Sequence, residues 1–174
     1  MELYFLRHGL AGERSEWTRP DEERPLTDGG KTQTAREAAG LAMLGLIPDL
    51  ILTSPLVRAR QTAEILAQEL GIPERVAIDE RLSPGFGRKK LQKIVGENEG
   101  RERLMFVGHE PDFSDVVGRL IGGAQVVLKK GALAVVELTE LEPLGGRLLW
   151  MVRPEMLEVQ SASSDRVEGG SGGT

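Results

Sequence analysis

The sequence predicts an α/β three-layer sandwich, with a mostly parallel central sheet, helices on both faces and one antiparallel strand at an edge. Three observations lead there. An apolar stretch runs through polar residues into a helical pattern three times along the chain. The clearest of these stretches is apolar on both faces, as a strand covered on two sides must be. Only beyond Gly122 does the pattern change to hairpin-like strands. With 174 residues, 40% of them hydrophobic, the chain can bury one sizeable core, and no internal repeat or second domain is visible.

The first strand is Leu3-Tyr4-Phe5-Leu6, followed by a long polar segment carrying Glu13, Glu16, Asp21, Glu22 and Glu23. Thr27 or Asp28 caps a helix that reaches to about Leu46, where Pro48 stops it. The apolar positions Ala35, Ala38, Ala39, Ala42 and Leu46 mark its inner face. A second strand, Leu50 to Thr53, leads through Ser54-Pro55 into a helix from Leu56 to Leu70. That helix buries Ala59, Ala63, Leu66 and Leu70, and Gly71 with Pro73 ends it. Val76 to Ile78 is a weaker strand, Ser83 to Gly87 a loop, and Arg88 to Val95 a short basic helix.

The third principal strand is Leu104 to Val107, running into Gly108-His109-Glu110-Pro111. The helix after it buries Phe113, Val116, Val117, Leu120 and Ile121. Strands then follow at Val126 to Leu128, Ala132 to Leu138 and Leu148 to Val152, with Gly145-Gly146 as a turn. Residues 1–156 make the single domain. Residues 157–174, rich in Ser and Gly, are expected to be a disordered tail.

Composition removes several function classes. The absence of cysteine excludes disulfides, a thiol nucleophile and thiolate zinc sites, and two histidines leave little room for a three-His metal site. The 27 acidic against 22 basic residues give a net charge of −5, a poor general surface for nucleic acid or anionic membrane. The apolar run at the N-terminus is broken at Arg7 and His8, too early for a signal peptide or membrane span, so the expected compartment is the cytoplasm.

In such a sheet ligands bind beyond the carboxyl ends of the strands. There the first strand delivers Arg7-His8-Gly9, the second Ser54-Pro55 with Arg58 one turn later, and the third Gly108-His109-Glu110. Guanidinium forks match phosphate oxygens, and a neutral imidazole can attack phosphorus to give a phosphoramidate that water hydrolyses. Helix N-termini after Pro55 and Pro111 add partial positive charge. The set suits a dianionic phosphoryl group and requires neither metal nor cofactor. The cluster Arg88, Lys89, Lys90 and Lys93 reads as a solvated helix face, with an acidic protein partner as the alternative. Trp17 either lines the pocket mouth or pins its long loop to the domain.

Leu6-Arg7-His8-Gly9 resembles the signature of the histidine phosphatase superfamily, which includes phosphoglycerate mutases and many phosphatases. Pro25-Leu26-Thr27-Asp28-Gly29-Gly30, Ser54 to Ala63, and Val107-Gly108-His109-Glu110-Pro111 are similar to its later motifs. The resemblance implies a phosphoglycerate mutase-like fold, His8 as phosphoryl acceptor, and Arg7, Arg58 and His109 as ligands of the phosphoryl oxygens. The short span from Ile78 to Leu104 leaves no room for a large lid, and the chain looks like the small SixA-type phosphohistidine phosphatases. The substrate implied is a phosphorylated protein such as a histidine-containing phosphotransfer domain. A small phosphate monoester is the alternative within enzymes, and a non-catalytic phosphoprotein-binding domain the alternative outside them. Glu80 is the candidate proton donor and Glu110 a second. Family members often place the acid immediately before the leucine, where this chain carries Arg81.

Overall fold

In the first strand, β1 (Glu2–Arg7), Leu3 and Phe5 enter one buried cluster while Tyr4 and Leu6 enter another. That period of two feeds both faces of a sheet and divides the core into two layers. The structure, a computed structural model, describes residues 1–157. Strands β2 (Leu50–Thr53), β3 (Val76–Ile78), β4 (Arg103–Gly108), β5 (Leu133–Leu141) and β6 (Leu144–Val152) complete a six-stranded sheet in the order β3-β2-β4-β1-β5-β6. The pairs β1·β4, β2·β4 and β2·β3 are parallel, whereas β1·β5 and β5·β6 are antiparallel.

Among the described residues five α-helices cover the sheet: α1 (Asp28–Met43), α2 (Val57–Glu69), α3 (Arg88–Glu97), α4 (Asp112–Leu120) and α5 (Pro154–Leu157). Residues of α1, α2 and α5 pack with Tyr4, Leu6, Ile51 and Met105 on one face. Residues of α3 and α4 pack with Leu3, Phe5, Leu104 and Phe106 on the other. All four phenylalanines of the chain meet in this second layer. Phe5 stacks on Phe106 at 5.2 Å and meets Phe113 edge-on at 5.5 Å. Among the described residues no helix is long and apolar enough to cross a membrane.

Several expectations need correction. The antiparallel part has two strands, and β5 lies inside the sheet because Leu133 to Val136 is apolar on both faces and buried. Val126 to Leu128 is loop. Gly145-Gly146 lies inside β6, and the turn falls at Glu142-Pro143. The pairing shifts register between Leu138 and Glu140, opposite those glycines, and a Cβ on Gly146 would come within 2.4 Å of the Glu137 carbonyl. The glycines mark a bulge with close backbone approach.

The buried face of α1 runs through Thr34, Glu37, Ala38 and Leu41, and Ala42 is exposed. The helix ends before Pro48. Gly45, at φ 71°, lets its amide bond the Ala42 carbonyl and the Leu46 amide bond that of Leu41, a Schellman closure. Leu70 is only half-buried, whereas Arg58, Thr62 and Ala67 of α2 are buried. Leu157, placed in the tail by the sequence, ends α5 and belongs to the core. The rest of that expected tail lies outside the described residues.

Gly108 closes β4 directly over the Phe113 ring, which a Cβ there would meet at 2.5 Å. Gly108→Ala is expected to destabilise the fold by about 1–3 kcal/mol through overpacking, read as a lower urea midpoint at unchanged slope. A midpoint equal to that of the parent would show that the ring has room to move.

Candidate active site

The parallel pairing of β1 with β4 sets Arg7 opposite Gly108, and the His8 amide donates to the Gly108 carbonyl at 3.0 Å. On the other side of β4 the Ser54 amide donates to the Val107 carbonyl at 3.0 Å. His8, Ser54 and His109 therefore leave three adjacent strands side by side. The two imidazole rings lie 5.3 Å apart, tilted by 57°, and both side chains are buried.

The segments after the strands are tied down by residues of the motifs. The Gly9 amide donates to the Thr62 hydroxyl at 3.1 Å, and that hydroxyl donates to the Arg58 carbonyl at 2.8 Å. A Cβ on Gly9 would reach Thr34 Oγ1 at 2.5 Å. Thr27 caps α1 by accepting from the Gly30 amide at 2.9 Å, and Gly30 leaves space for the Leu10 carbonyl, which a Cβ would meet at 2.1 Å. Gln61 of α2 accepts from the Leu26 amide at 2.8 Å.

The tautomer of His8 follows from its partners. Arg58 Nε–H donates to His8 Nε2 at 3.3 Å, and a guanidinium has only donors, so the Nε2 lone pair faces it. The proton of the neutral ring then sits on Nδ1 and donates to the Gly9 carbonyl at 2.8 Å. Burial pulls the His8 pKa down to about 3, opposed by the Gly9 hydrogen bond and reinforced by His109, Arg58 and Arg7. His109 Nε2 pairs with the Ser54 hydroxyl at 2.8 Å. Burial, then the Arg58 charge, lowers its pKa to about 4.

Arg58 is clasped by the polar segment before α1. Its Nη1 donates to the Asp21 carbonyl at 2.8 Å and its Nη2 to Asp21 Oδ2 at 3.1 Å. The same carboxylate takes Arg24 Nε at 2.8 Å and Arg14 Nη1 at 3.0 Å. Three guanidiniums thus share one counter-charge, and the hydrogen bond from Arg24 is the main influence lowering the Asp21 pKa against its desolvation. Arg7 donates through Nη1 to the Leu128 carbonyl at 2.8 Å. Arg7 Nε and His109 Nδ1 are buried without a partner among the described residues. Each such orphan costs on the order of 1–3 kcal/mol, so a ligand that satisfies it binds with that advantage.

Arg7, His8, Arg58 and His109 line one cavity of about 250 Å³, together with Arg14, Arg24, Glu110 and Lys130. Glu80 does not line it. It lies exposed beside a neighbouring cavity of about 720 Å³ that shares Arg14 and Pro84 with the first. Arg81, at the position where the family often carries an acid, is bound instead to Asp79 at 2.6 Å and Glu97 at 2.7 Å. Glu110 lines the pocket, but its oxygens accept from the Ser114 amide at 3.1 Å and the Ser114 hydroxyl at 2.5 Å. It thereby satisfies an amide in the first turn of α4.

Trp17 donates to the Pro20 carbonyl at 2.9 Å, so it braces its own loop. In the basic cluster, Arg88 donates to the Leu144 carbonyl and Lys90 to the Gly85 carbonyl, leaving Lys89 and Lys93 exposed. Among the described residues no group of three or more His, Asp and Glu could hold a metal ion.

Sequence reasoning missed Asp21, Arg24, Arg14 and Lys130. For the first two a signal existed: an acid three residues before an arginine that adjoins Pro25-Leu26-Thr27.

Two neutral imidazoles among guanidiniums, at the carboxyl edge of a parallel sheet, define the class as an α/β protein with a phosphoryl-type pocket. The family model of the histidine phosphatase superfamily (branch 1) matches residues 3–88. An uncharacterized protein of Picosynechococcus is 46% identical over 118 residues, covering 66% of this chain and 70% of its own length. Phosphohistidine phosphatase SixA of Escherichia coli is 28% identical over 167 residues, 93% of this chain and 99% of its own. A solved structure of the protein histidine phosphatase SixA with tungstate superposes at a TM-score of 0.80, with 26% identity over 90% of this chain and 99% of that one.

The chain belongs to the histidine phosphatase superfamily, and these likenesses support its SixA-type branch. It has the phosphoglycerate mutase-like fold and is a phosphatase-type hydrolase of that superfamily.

Both rings are buried among cations, so each resists taking a proton until the pH falls well below the ordinary imidazole value. In a ¹⁵N NMR titration of the free protein, neither histidine is expected to become cationic between about pH 8 and pH 5. Either ring titrating near about 6.5 would contradict the electrostatics described.

Proposed function

We propose that the protein hydrolyses phosphoryl groups through a covalent phosphohistidine on His8, with a phosphohistidine-bearing protein as its substrate. The observation that carries this reading is the unprotonated Nε2 of a neutral His8, held between the Gly9 carbonyl and Arg58. Nε2 attacks phosphorus, and the bond from phosphorus to the substrate imidazole breaks as that imidazole leaves. The ring of His8 gains positive charge in this step, and the Nδ1–H bond to Gly9 stabilises it. Water then attacks phosphorus, the bond to Nε2 breaks, and the ring returns neutral as the water proton passes to the departing phosphate.

Arg58 and Arg7 neutralise the phosphoryl oxygens. The long Arg58–His8 bond of 3.3 Å is weak and exchanges readily for a bond to a phosphoryl oxygen. Arg7 Nε and His109 Nδ1, which have no partner among the described residues, are the donors we assign to that group. Asp21 fixes the two Nη groups of Arg58 and so presents its Nε edge to the pocket.

Leaving-group chemistry supports the substrate class. An ester oxygen departs with difficulty unless an acid protonates it, whereas a protonated phosphohistidine departs as neutral imidazole. Glu80 lies outside the pocket and Glu110 is engaged by Ser114. The likeness to SixA points the same way.

The test compares kcat/KM for a phosphohistidine protein with that for p-nitrophenyl phosphate. Preference for the protein is expected, and preference for the small ester would overturn the substrate assignment while leaving the superfamily intact. Arg58→Lys, which keeps the charge but loses the fork, is expected to lower kcat/KM about 100-fold or more on either substrate. A loss below about threefold would remove Arg58 from the phosphoryl-binding role, since one lost transition-state donor costs far more.

A further inference from the structure

The loop from Leu128 to Ala132 is fastened to the nucleophile's own strand end. The Gly131 amide donates to the carbonyls of Arg7 at 3.1 Å and His8 at 3.2 Å. The Arg7 amide donates to Ala132 O at 3.1 Å, and its side chain to Leu128 O at 2.8 Å. The Ala132 amide closes the turn on the Lys129 carbonyl at 2.8 Å, and Gly131 at φ 77° takes the left-handed conformation it needs. Lys129 and Lys130 are therefore placed beside the phosphoryl pocket by the backbone of Arg7 and His8.

Lys130 lines that pocket, and it also lines a second cavity of about 370 Å³ with Arg7, Lys129, Gln33 and Glu155. The cations of the two cavities divide by their counter-charges. Arg14, Arg24 and Arg58 share Asp21. Among the described residues no ion pair joins Lys129 or Lys130 to a carboxylate, although Glu155 lines the second cavity and the buried Glu37 carboxylate packs against Gly131. A transferring phosphoryl group engages Arg7 and Arg58, which leaves the two ammonium groups for a different anion.

We infer that Lys130, with Lys129 beside it, forms a second anion subsite contiguous with the phosphoryl pocket, which binds a carboxylate or phosphate carried next to the transferred group on the same substrate. The inference deepens the proposed function and rests on it. A phosphohistidine flanked by acidic side chains fits this subsite, and so does a compact bisphosphate. A substrate with one anion leaves it empty. Because the subsite binds a group that does not react, its contribution falls on KM more than on kcat.

The test uses the full chain and two matched pairs of probes. One pair is a phosphohistidine peptide flanked by Glu and the same peptide flanked by Gln. The other is propane-1,3-diol bisphosphate and its monophosphate. The wild type is expected to prefer the two-anion member of at least one pair by about tenfold in kcat/KM, mainly through KM, as suits one additional charge-assisted contact. Lys130→Met is expected to bring that ratio below about twofold, while Lys93→Met, on the exposed face of α3, preserves it.

A preference in the peptide pair assigns the subsite to acidic side chains, and one in the diol pair assigns it to phosphate. Equal rates within both pairs, or a preference that survives Lys130→Met, would overturn the subsite while turnover itself upholds the phosphatase reading. Turnover of none of the four probes would overturn the phosphatase reading, and the subsite with it.

Discussion

The parallel register of β1 on β4 is the constraint on which the site depends. Leu6 lies opposite Val107 and Arg7 opposite Gly108, so the next residue on each strand is a histidine. Period-two burial sets this register, because Leu3 and Phe5 belong to one core layer and Tyr4 and Leu6 to the other. A slip of one residue would exchange the layers and part the imidazoles. Phe113, packed against Phe5 and under Gly108, connects the same register to the helix that follows His109. Stability and the geometry of the candidate site therefore come from one set of contacts.

Electrostatics complete what the register begins. The two rings are kept neutral chiefly by burial, and the neighbouring arginines add to the cost of a third cation. Those arginines would repel one another in an empty pocket, and Asp21 offsets this for Arg14, Arg24 and Arg58. Arg7 feels the charge of Glu110 instead, and among the described residues no ion pair joins Lys130 to a carboxylate. The proposed second subsite rests on the contrast between two segments, one before α1 that supplies the Asp21 carboxylate and one before β5 that supplies Lys129 and Lys130.

Much of this was legible in the sequence, and what was not has physical reasons. Strand ends announce themselves because apolar runs stop abruptly at Arg7, Ser54 and Gly108, so the convergence of His8, His109 and Arg7, with Arg58 one turn into the next helix, followed from the carboxyl-end rule for such sheets. Asp21 was hidden among Glu13, Glu16, Glu22 and Glu23, since only tertiary folding selects which acid meets Arg58. The inner face of α1 was misplaced because alanine occupies several of its faces and gives weak periodicity, whereas Thr34 and Glu37 are buried against polar partiality. Gly145-Gly146 reads as a turn in isolation, but its glycines answer a close approach of β5 visible only in pairing. Glu80 was proposed by its position in a motif, while the fold turns it toward the neighbouring cavity.

The central claim is that the neutral His8 presents Nε2 to phosphorus with its proton held on Nδ1 by Gly9. Its most direct test is ¹H–¹⁵N–³¹P NMR of the phosphoenzyme trapped from uniformly ¹⁵N-labelled protein. Coupling of phosphorus to Nε2 of His8, with Nδ1 still protonated, is the predicted result. Phosphorus on Nδ1, on His109, or on no ring nitrogen at all would contradict it.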